Sequence, residues 1–294
     1  MMRVGILGAG ALGSLFAYYL SSRTSAEVWL LARSPVPAEV SVEGLGSAPV
    51  HVVNGPAAEP VDLLVVMVKA CATAEAVRWA AGAVGPGTVA LTLQNGLGNA
   101  EALAEALGPG RVLAGTTAQG ATLLGPGVVR HGGAGATYLA PWAPGGLASE
   151  MAPRVAALLA EAGLPATVAD DPRPLIWAKL AINCGINALT ALLRVPNGEL
   201  LNRPGACRLM EAAAREAGAV ARAAGVVLPE DPVERVRQVA RATGANRSSM
   251  LQDVERGRRT EIDAINGAVA ERGRALGVPA PVNETLADLV RSLS

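Results

Sequence analysis

The segment Arg3-Val4-Gly5-Ile6-Leu7 is short and apolar, and it runs directly into Gly8-Ala9-Gly10-Ala11-Leu12-Gly13. A helix-spaced apolar series, Leu12, Leu15, Phe16, Tyr19 and Leu20, follows without a break. A strand, a glycine turn and a helix in that order commit the start of the chain to a βαβ unit. Gly8 permits the tight turn, and Gly13 lets the helix pack against the strand. Gly10 lets the backbone approach a pyrophosphate, at a helix start whose free N–H groups and positive dipole attract phosphate. In a chain with 34 glycines the spacing alone would carry little, and the flanking elements give it weight. Gly8, Ala9, Gly10, Ala11, Leu12 and Gly13 are therefore the candidate dinucleotide-binding turn.

A second strand is predicted at Glu27–Leu31, followed by Ala32-Arg33-Ser34. A site that prefers NAD(H) places Asp or Glu near this strand end to hold the ribose 2′-hydroxyl. Here a guanidinium and a hydroxyl stand there instead, and Arg33 suits a 2′-phosphate. The expected cofactor is NADP(H), unless Arg33 is a solvated loop residue and another acid reads the ribose. Strands at Asp62–Val68, ending at Lys69, and at Thr88–Leu93, ending at Gln94-Asn95-Gly96, enclose a helix around Thr73–Ala83. Parallel sheets bind ligands beyond the carboxyl ends of their strands, so the glycine turn, Arg33, Lys69 and Asn95 are expected along one edge. Short strands at Ala121–Leu124, Val128–Arg130 and Ala136–Leu139 read as an antiparallel edge to the sheet. A helix around Glu150–Ala162 and a strand at Ala166–Ala169 finish this half. His51 and His131 fall in weak strand or loop contexts and read as structural.

The run Ala169-Asp170-Asp171-Pro172-Arg173-Pro174 suits a boundary between residues 1–169 and 170–294. Beyond it the pattern is helical to the end. The predicted architecture is an α/β protein: an N-terminal Rossmann-type doubly wound sheet and an all-α C-terminal domain, with a cleft between them. The first helix of the second half carries Lys179, Asn183 and Asn187 at four-residue steps, which drift by only about 40° each and so share one face. Asn is a mediocre helix former and costly to bury unpaired, so the stripe reads as a ligand-facing one. Lys69 and Lys179 are the only lysines, against twenty-three arginines. Codon bias explains the arginines, but a desolvated Lys can lose its proton where Arg cannot. Farther on, Ser249 with Gln252 reads as a helix-capping box, whose free N–H groups would suit a carboxylate.

Taken together, Gly8–Gly13, Lys69, Asn95-Gly96, Trp177-x-Lys179-Leu180-x-x-Asn183-x-x-x-Asn187, Pro196-Asn197-Gly198-Glu199, Ser248-Ser249-Met250-Leu251-Gln252-Asp253 and Thr260-Glu261-Ile262-Asp263 resemble the 2-dehydropantoate 2-reductase (ketopantoate reductase) family. The match runs in order over nearly the whole chain. The resemblance implies NADPH-dependent reduction of ketopantoate to pantoate, on the path to pantothenate and coenzyme A. It implies Lys179 as general acid, with Glu261 supporting catalysis nearby. Asn183, Asn187, Asn197, Asn246 and Ser249 would hold the substrate, and Lys69 and Asn95 would sit where the nicotinamide ribose meets it. The residues agree with that chemistry. Hydride delivery to a 2-keto carbon needs a proton donor at the oxygen, and Lys179 is the plausible acid of the helical half. Burial should lower its pKa and Glu261 should raise it.

Other readings stay open within this frame. A relative reducing another branched 2-keto acid would keep the same residues, since they fix the reaction better than the alkyl pocket. Hydroxyisobutyrate-type and glycerol-phosphate-type dehydrogenases share the architecture, although a phosphate substrate would want a cationic cluster beside the stripe. An inactive NADP-binding sensor would keep the glycines and Arg33 without needing Lys179 or Glu261. A formal net charge of +0 and a pI near 6.8 suggest neither nucleic acid nor a lipid surface as partner. Cys71, Cys184 and Cys207 lack metal-site spacing and suit reduced thiols, and Met1–Leu20 is accounted for without a signal peptide. The expected setting is cytoplasmic, with no metal. A homodimer is compatible with a sequence that does not settle the oligomeric state.

Overall fold

The computed structural model describes residues 1–55 and 59–293. The chain divides into two compact units: Met1–Gln94 with Gly98–Pro172, and Asn95–Leu97 with Arg173–Ser294. The change of unit at Pro172 falls inside the Asp-Pro-rich run singled out in the sequence, slightly beyond residue 169. The return of Asn95–Leu97 to the second unit has no counterpart in the sequence reading.

The first unit begins with β1 (Arg3–Leu7), α1 (Ala11–Arg23) and β2 (Glu27–Leu31). It continues through β3 (Glu39–Val42), β4 (Gly46–Pro49), β5 (His51–Val53), β6 (Leu63–Val66), α2 (Thr73–Trp79), β7 (Val89–Thr92), α3 (Asn99–Leu107) and β8 (Val112–Thr117). It closes with β9 (Gly120–Gly125), β10 (Val128–Gly133), β11 (Thr137–Pro141), α4 (Gly146–Glu161) and β12 (Ala166–Val168). Eight strands form the main sheet in the order β12-β11-β8-β7-β6-β1-β2-β5, parallel throughout except where β11 runs antiparallel to β8. β6 and β7 are wholly buried (Leu-Leu-Val-Val and Val-Ala-Leu-Thr), as strands covered on both faces must be.

One expectation fails here. β9 and β10 do not edge this sheet. They pair with β3 and β4 in a second sheet ordered β4-β3-β10-β9, in which β10 runs parallel to β3. This small sheet has a physical purpose. Helix α1 is buried continuously from Gly13 to Leu20, so a single covering face would not suffice. Val40, Val42, Ala48 and Val129 join Tyr18, Tyr19 and Phe16 in one apolar core, and the Tyr18 hydroxyl donates to Leu45 O at 3.0 Å. His131 is tied here too, Nδ1 to the Tyr19 hydroxyl at 3.0 Å and Nε2 to Gln119 Oε1 at 2.8 Å, in keeping with a structural role.

The second unit holds α5 (Arg173–Leu193), α6 (Pro204–Ala223), α7 (Pro232–Ala242), α8 (Ser249–Glu255), α9 (Ala268–Leu276) and α10 (Pro281–Arg291). Among the described residues, α5 alone is long and apolar enough to cross a membrane, yet 61% of its most apolar window is buried in the fold. It is the core helix of this unit, where Trp177, Leu180, Cys184 and Ala188 meet Met210, Ala217 and Val236. Between α8 and α9 the chain makes a π turn at Asp263–Gly267, with Gly267 N–H bonded to Ile262 O at 2.9 Å. Such turns are rare and concentrate at functional sites.

Candidate active site

In the first unit the three glycines of the turn do three different things. Gly8 has φ +114°, and a Cβ there would lie 3.0 Å from Met67 backbone. A Cβ on Gly13 would come within 1.9 Å of Gly8 O. Around Gly10 no atom lies within 4 Å of the equivalent point. Two positions are closed by packing, and the third is open where a ligand's phosphate would approach. Helix α1 has no side-chain cap and no acid in its first turn, so its leading N–H groups are left for an anion. These residues fit a dinucleotide pyrophosphate.

Arg33 and Lys69 follow the two strands that flank β1, namely β2 and β6. Arg33 is not a bare cation: its Nη1 lies 2.6 Å from Glu75 Oε1 on α2. Lys69 is half-buried at the start of the connection to α2. A buried cluster that the sequence reading did not single out braces this connection. Gln94 Nε2 donates to Val68 O at 2.7 Å and to Thr73 Oγ1 at 2.9 Å, and Thr73 in turn donates to Asn99 Oδ1 at 2.9 Å.

Asn95, expected with Lys69 along the sheet edge, follows β7 and is grouped by its contacts with the helical unit. Gly96 makes this possible. Its φ is +86°, and a Cβ would stand 2.4 Å from Ala264 O; the next residue, Leu97, donates its N–H to that same carbonyl at 3.0 Å. The strap thereby lies against the π turn that follows Glu261. Asn183 Nδ2 donates to Asn95 Oδ1, and Asn95 Nδ2 donates to Glu261 Oε2, both at 3.5 Å. Contacts that long sit at the outer limit of hydrogen bonding. Lys179 is one turn before Asn183 on α5. Burial lowers its pKa to about 8, while the Glu261 carboxylate acts in the opposite direction. The residue as a whole is half-buried, and its ammonium is dehydrated. Lys179, Asn183, Asn95 and Glu261 thus form one polar cluster drawn from three segments.

The remaining candidates lie farther along α5. Asn187 is 5% exposed, and no hydrogen bond to its carboxamide is found among the described residues. Asn197 is 7% exposed, with Nδ2 donating to Thr243 Oγ1 at 2.9 Å and Oδ1 buried without a partner. Its backbone N–H donates to Asn246 O at 2.9 Å, which brings those two positions together, although the Asn246 side chain is exposed. The capping expectation needs correction. Ser248, not Ser249, caps α8: its hydroxyl accepts Leu251 N–H at 3.1 Å and lies 2.7 Å from Thr190 Oγ1 on α5. Ser249 is exposed in the first turn, and Gln252 turns back to Arg247 O at 3.0 Å instead of completing a box.

Beneath the cluster lies a second network that the sequence did not reveal. Asn266, wholly buried in the π turn, donates to Cys184 O on α5 and to Asn283 Oδ1 on α10, both at 3.0 Å. Asn283 passes the chain to Glu216 on α6 at 2.8 Å. Among the described residues no group of His, Cys, Asp and Glu is arranged to hold a metal.

Comparison with known proteins agrees with this architecture. The family model described as "Ketopantoate reductase PanE/ApbA" matches residues 4–144, and "Ketopantoate reductase PanE/ApbA C terminal" matches residues 171–294. The chain belongs to the ketopantoate reductase family. A Halobacterium salinarum relative named 2-dehydropantoate 2-reductase is 42% identical over 99% of this chain and 98% of its own. The solved 2-dehydropantoate 2-reductase of Geobacter metallireducens superposes with TM-score 0.91 at 32% identity, covering 100% of both chains. A D-mandelate dehydrogenase solved with NADH and anilino(oxo)acetate superposes equally well, with TM-score 0.91 at 27% identity, over 99% of this chain and 98% of that one. The family is one of oxidoreductases, its D-mandelate dehydrogenase neighbour holds the nicotinamide cofactor NADH, and this chain shares their fold over 99–100% of its length.

Proposed function

We propose that this chain reduces ketopantoate to pantoate with NADPH as the hydride source, as a cytoplasmic step toward pantothenate and coenzyme A. The observation that carries the reading is the Lys179–Asn183–Asn95–Glu261 cluster. It sets a dehydrated ammonium within electrostatic reach of one carboxylate, to which two neutral amides are linked in series. NADPH, held by the Gly8–Gly13 turn with Arg33 on its 2′-phosphate and Lys69 toward its nicotinamide ribose, would supply the hydride for the keto carbon. Lys179 donates the proton to the carbonyl oxygen. A pKa of about 8 keeps most of the ammonium protonated at neutral pH, yet makes it a far better acid than a solvated lysine. Glu261 holds that charge in place. Asn183 and Asn187 offer donors and acceptors to the keto and hydroxyl oxygens. The unpaired Oδ1 of Asn197 is a buried acceptor suited to a substrate hydroxyl, and the exposed Ser249 hydroxyl suits the carboxylate.

A second substrate deserves a place in the test, because the D-mandelate dehydrogenase neighbour was solved with the bulkier 2-oxo acid analogue anilino(oxo)acetate. The test is NADPH oxidation followed by absorbance with ketopantoate, 2-ketoisovalerate, pyruvate, phenylglyoxylate and no substrate. Saturable turnover favouring ketopantoate by orders of magnitude is expected. Turnover with an aryl or another branched 2-oxo acid alone would keep the mechanism and change the substrate. No turnover with any of them, despite tight NADPH binding, would replace the enzyme reading with a sensor.

A further inference from the structure

We infer that Glu75 sets how strongly the cofactor site prefers NADP(H) to NAD(H), and that it does so by competing for Arg33. The inference rests on the NADPH reading above. Arg33 and Glu75 come from the segments that follow β2 and β6, the two neighbours of β1 in the sheet, and β1 ends in the glycine turn. Their ion pair, 2.6 Å between Arg33 Nη1 and Glu75 Oε1, therefore lies beside the place where the adenosine ribose must follow the pyrophosphate. The acid that reads a ribose ordinarily stands at the end of the second strand. In this chain arginine stands just beyond the second strand, and the acid arrives from another element, forty-two positions later in sequence.

The pair is suited to exchange. Arg33 and Glu75 side chains are 55% and 63% exposed, so the bond between them is weak and Arg33 is easily released. A 2′-phosphate would take the guanidinium with two charge-assisted bonds, but it would do so next to a carboxylate that repels it. A 2′-hydroxyl raises no such conflict and can donate to Glu75. One residue thus lowers affinity for the phosphorylated cofactor without lowering it for the other, and the preference for NADPH is smaller than Arg33 alone would give.

The test measures Kd for NADPH and NADH by fluorescence titration of the full chain and of Glu75→Gln and Arg33→Ser. Glu75→Gln should bind NADPH about 3- to 10-fold more tightly and NADH no more tightly than before. NADPH affinity that is unchanged, lowered, or raised in step with NADH overturns the inference. Arg33→Ser tests the underlying reading separately, because it should weaken NADPH selectively. If it does so while Glu75→Gln has no effect, only the role of Glu75 falls. If it leaves NADPH binding intact, the 2′-phosphate assignment falls with it.

Discussion

Lys179 carries its proton against the pull of its surroundings, because burial lowers its pKa to about 8 and Glu261 opposes that lowering. In the proposed role of acid it works in its charged form, so kcat should be level at neutral pH and fall as pH rises through about 8. Glu261→Gln removes the charge that holds the proton and should move this alkaline limb to lower pH; a limb that stays put would dissociate Glu261 from the acid. Lys179→Arg keeps the charge but cannot release a proton at neutral pH. Its kcat should drop by about 10²- to 10⁴-fold while NADPH affinity holds, and turnover within a few-fold of the parent chain would remove Lys179 from proton transfer. Lys179 was legible in sequence because lysine is so scarce and because two asparagines follow it at helical spacing, whereas Glu261 entered only through the family resemblance. Others were not. Ser248 and Ser249 are chemically equal in sequence, and only the Leu251 N–H settles which one caps the helix. Asn266 looks like an ordinary helical asparagine until its place under α5 is known, and Glu75 is ordinary until Arg33 meets it.

At the scale of elements, the π turn and the strap across it carry the geometry of the cluster. Gly96 combines a left-handed φ with a 2.4 Å approach to the Ala264 carbonyl, so an added methyl meets both strain and backbone. Gly96→Ala should cost about 2–3 kcal/mol of stability in denaturant titrations, and it should lower kcat by displacing Asn95 from Glu261. Retention of both quantities would show that the strap has room to shift. The long helices α1, α4 and α5 are readable because periodicity accumulates over their length. The small sheet is not, for two reasons. β3 and β4 have only four residues each, too few for alternation to distinguish them. The parallel pairing of Val128 with Ser41 joins strands far apart in sequence, which no local pattern records. The π turn likewise leaves no mark, since its residues read as plain helix.

For the whole molecule, two separate apolar cores, one around Phe16 and Leu30 and one around Leu180 and Met210, underlie the two compact units. A dinucleotide that binds the folded glycine turn should stabilise the chain by mass action, about 2.7 kcal/mol at a hundredfold excess over Kd. Melting should therefore shift upward by about 5–10 °C with NADPH and by less with NADH at equal concentration; equal shifts would argue against a 2′-phosphate site at Arg33. Asn95–Leu97 has a different kind of consequence. These three residues are encoded inside the first unit and belong by packing to the second. A gene cut after codon 172 would not separate the units cleanly, because the fragment beginning at Arg173 leaves Asn95 behind. Chimeras that join the amino-terminal part of one ketopantoate reductase to the carboxyl-terminal part of another would inherit Asn95 from one parent and Lys179, Asn183 and Glu261 from the other. The strap joins the two gene segments at a backbone contact, so a chimera should keep its fold only where the residues around Gly96 and those around Ala264 come from parents that match there.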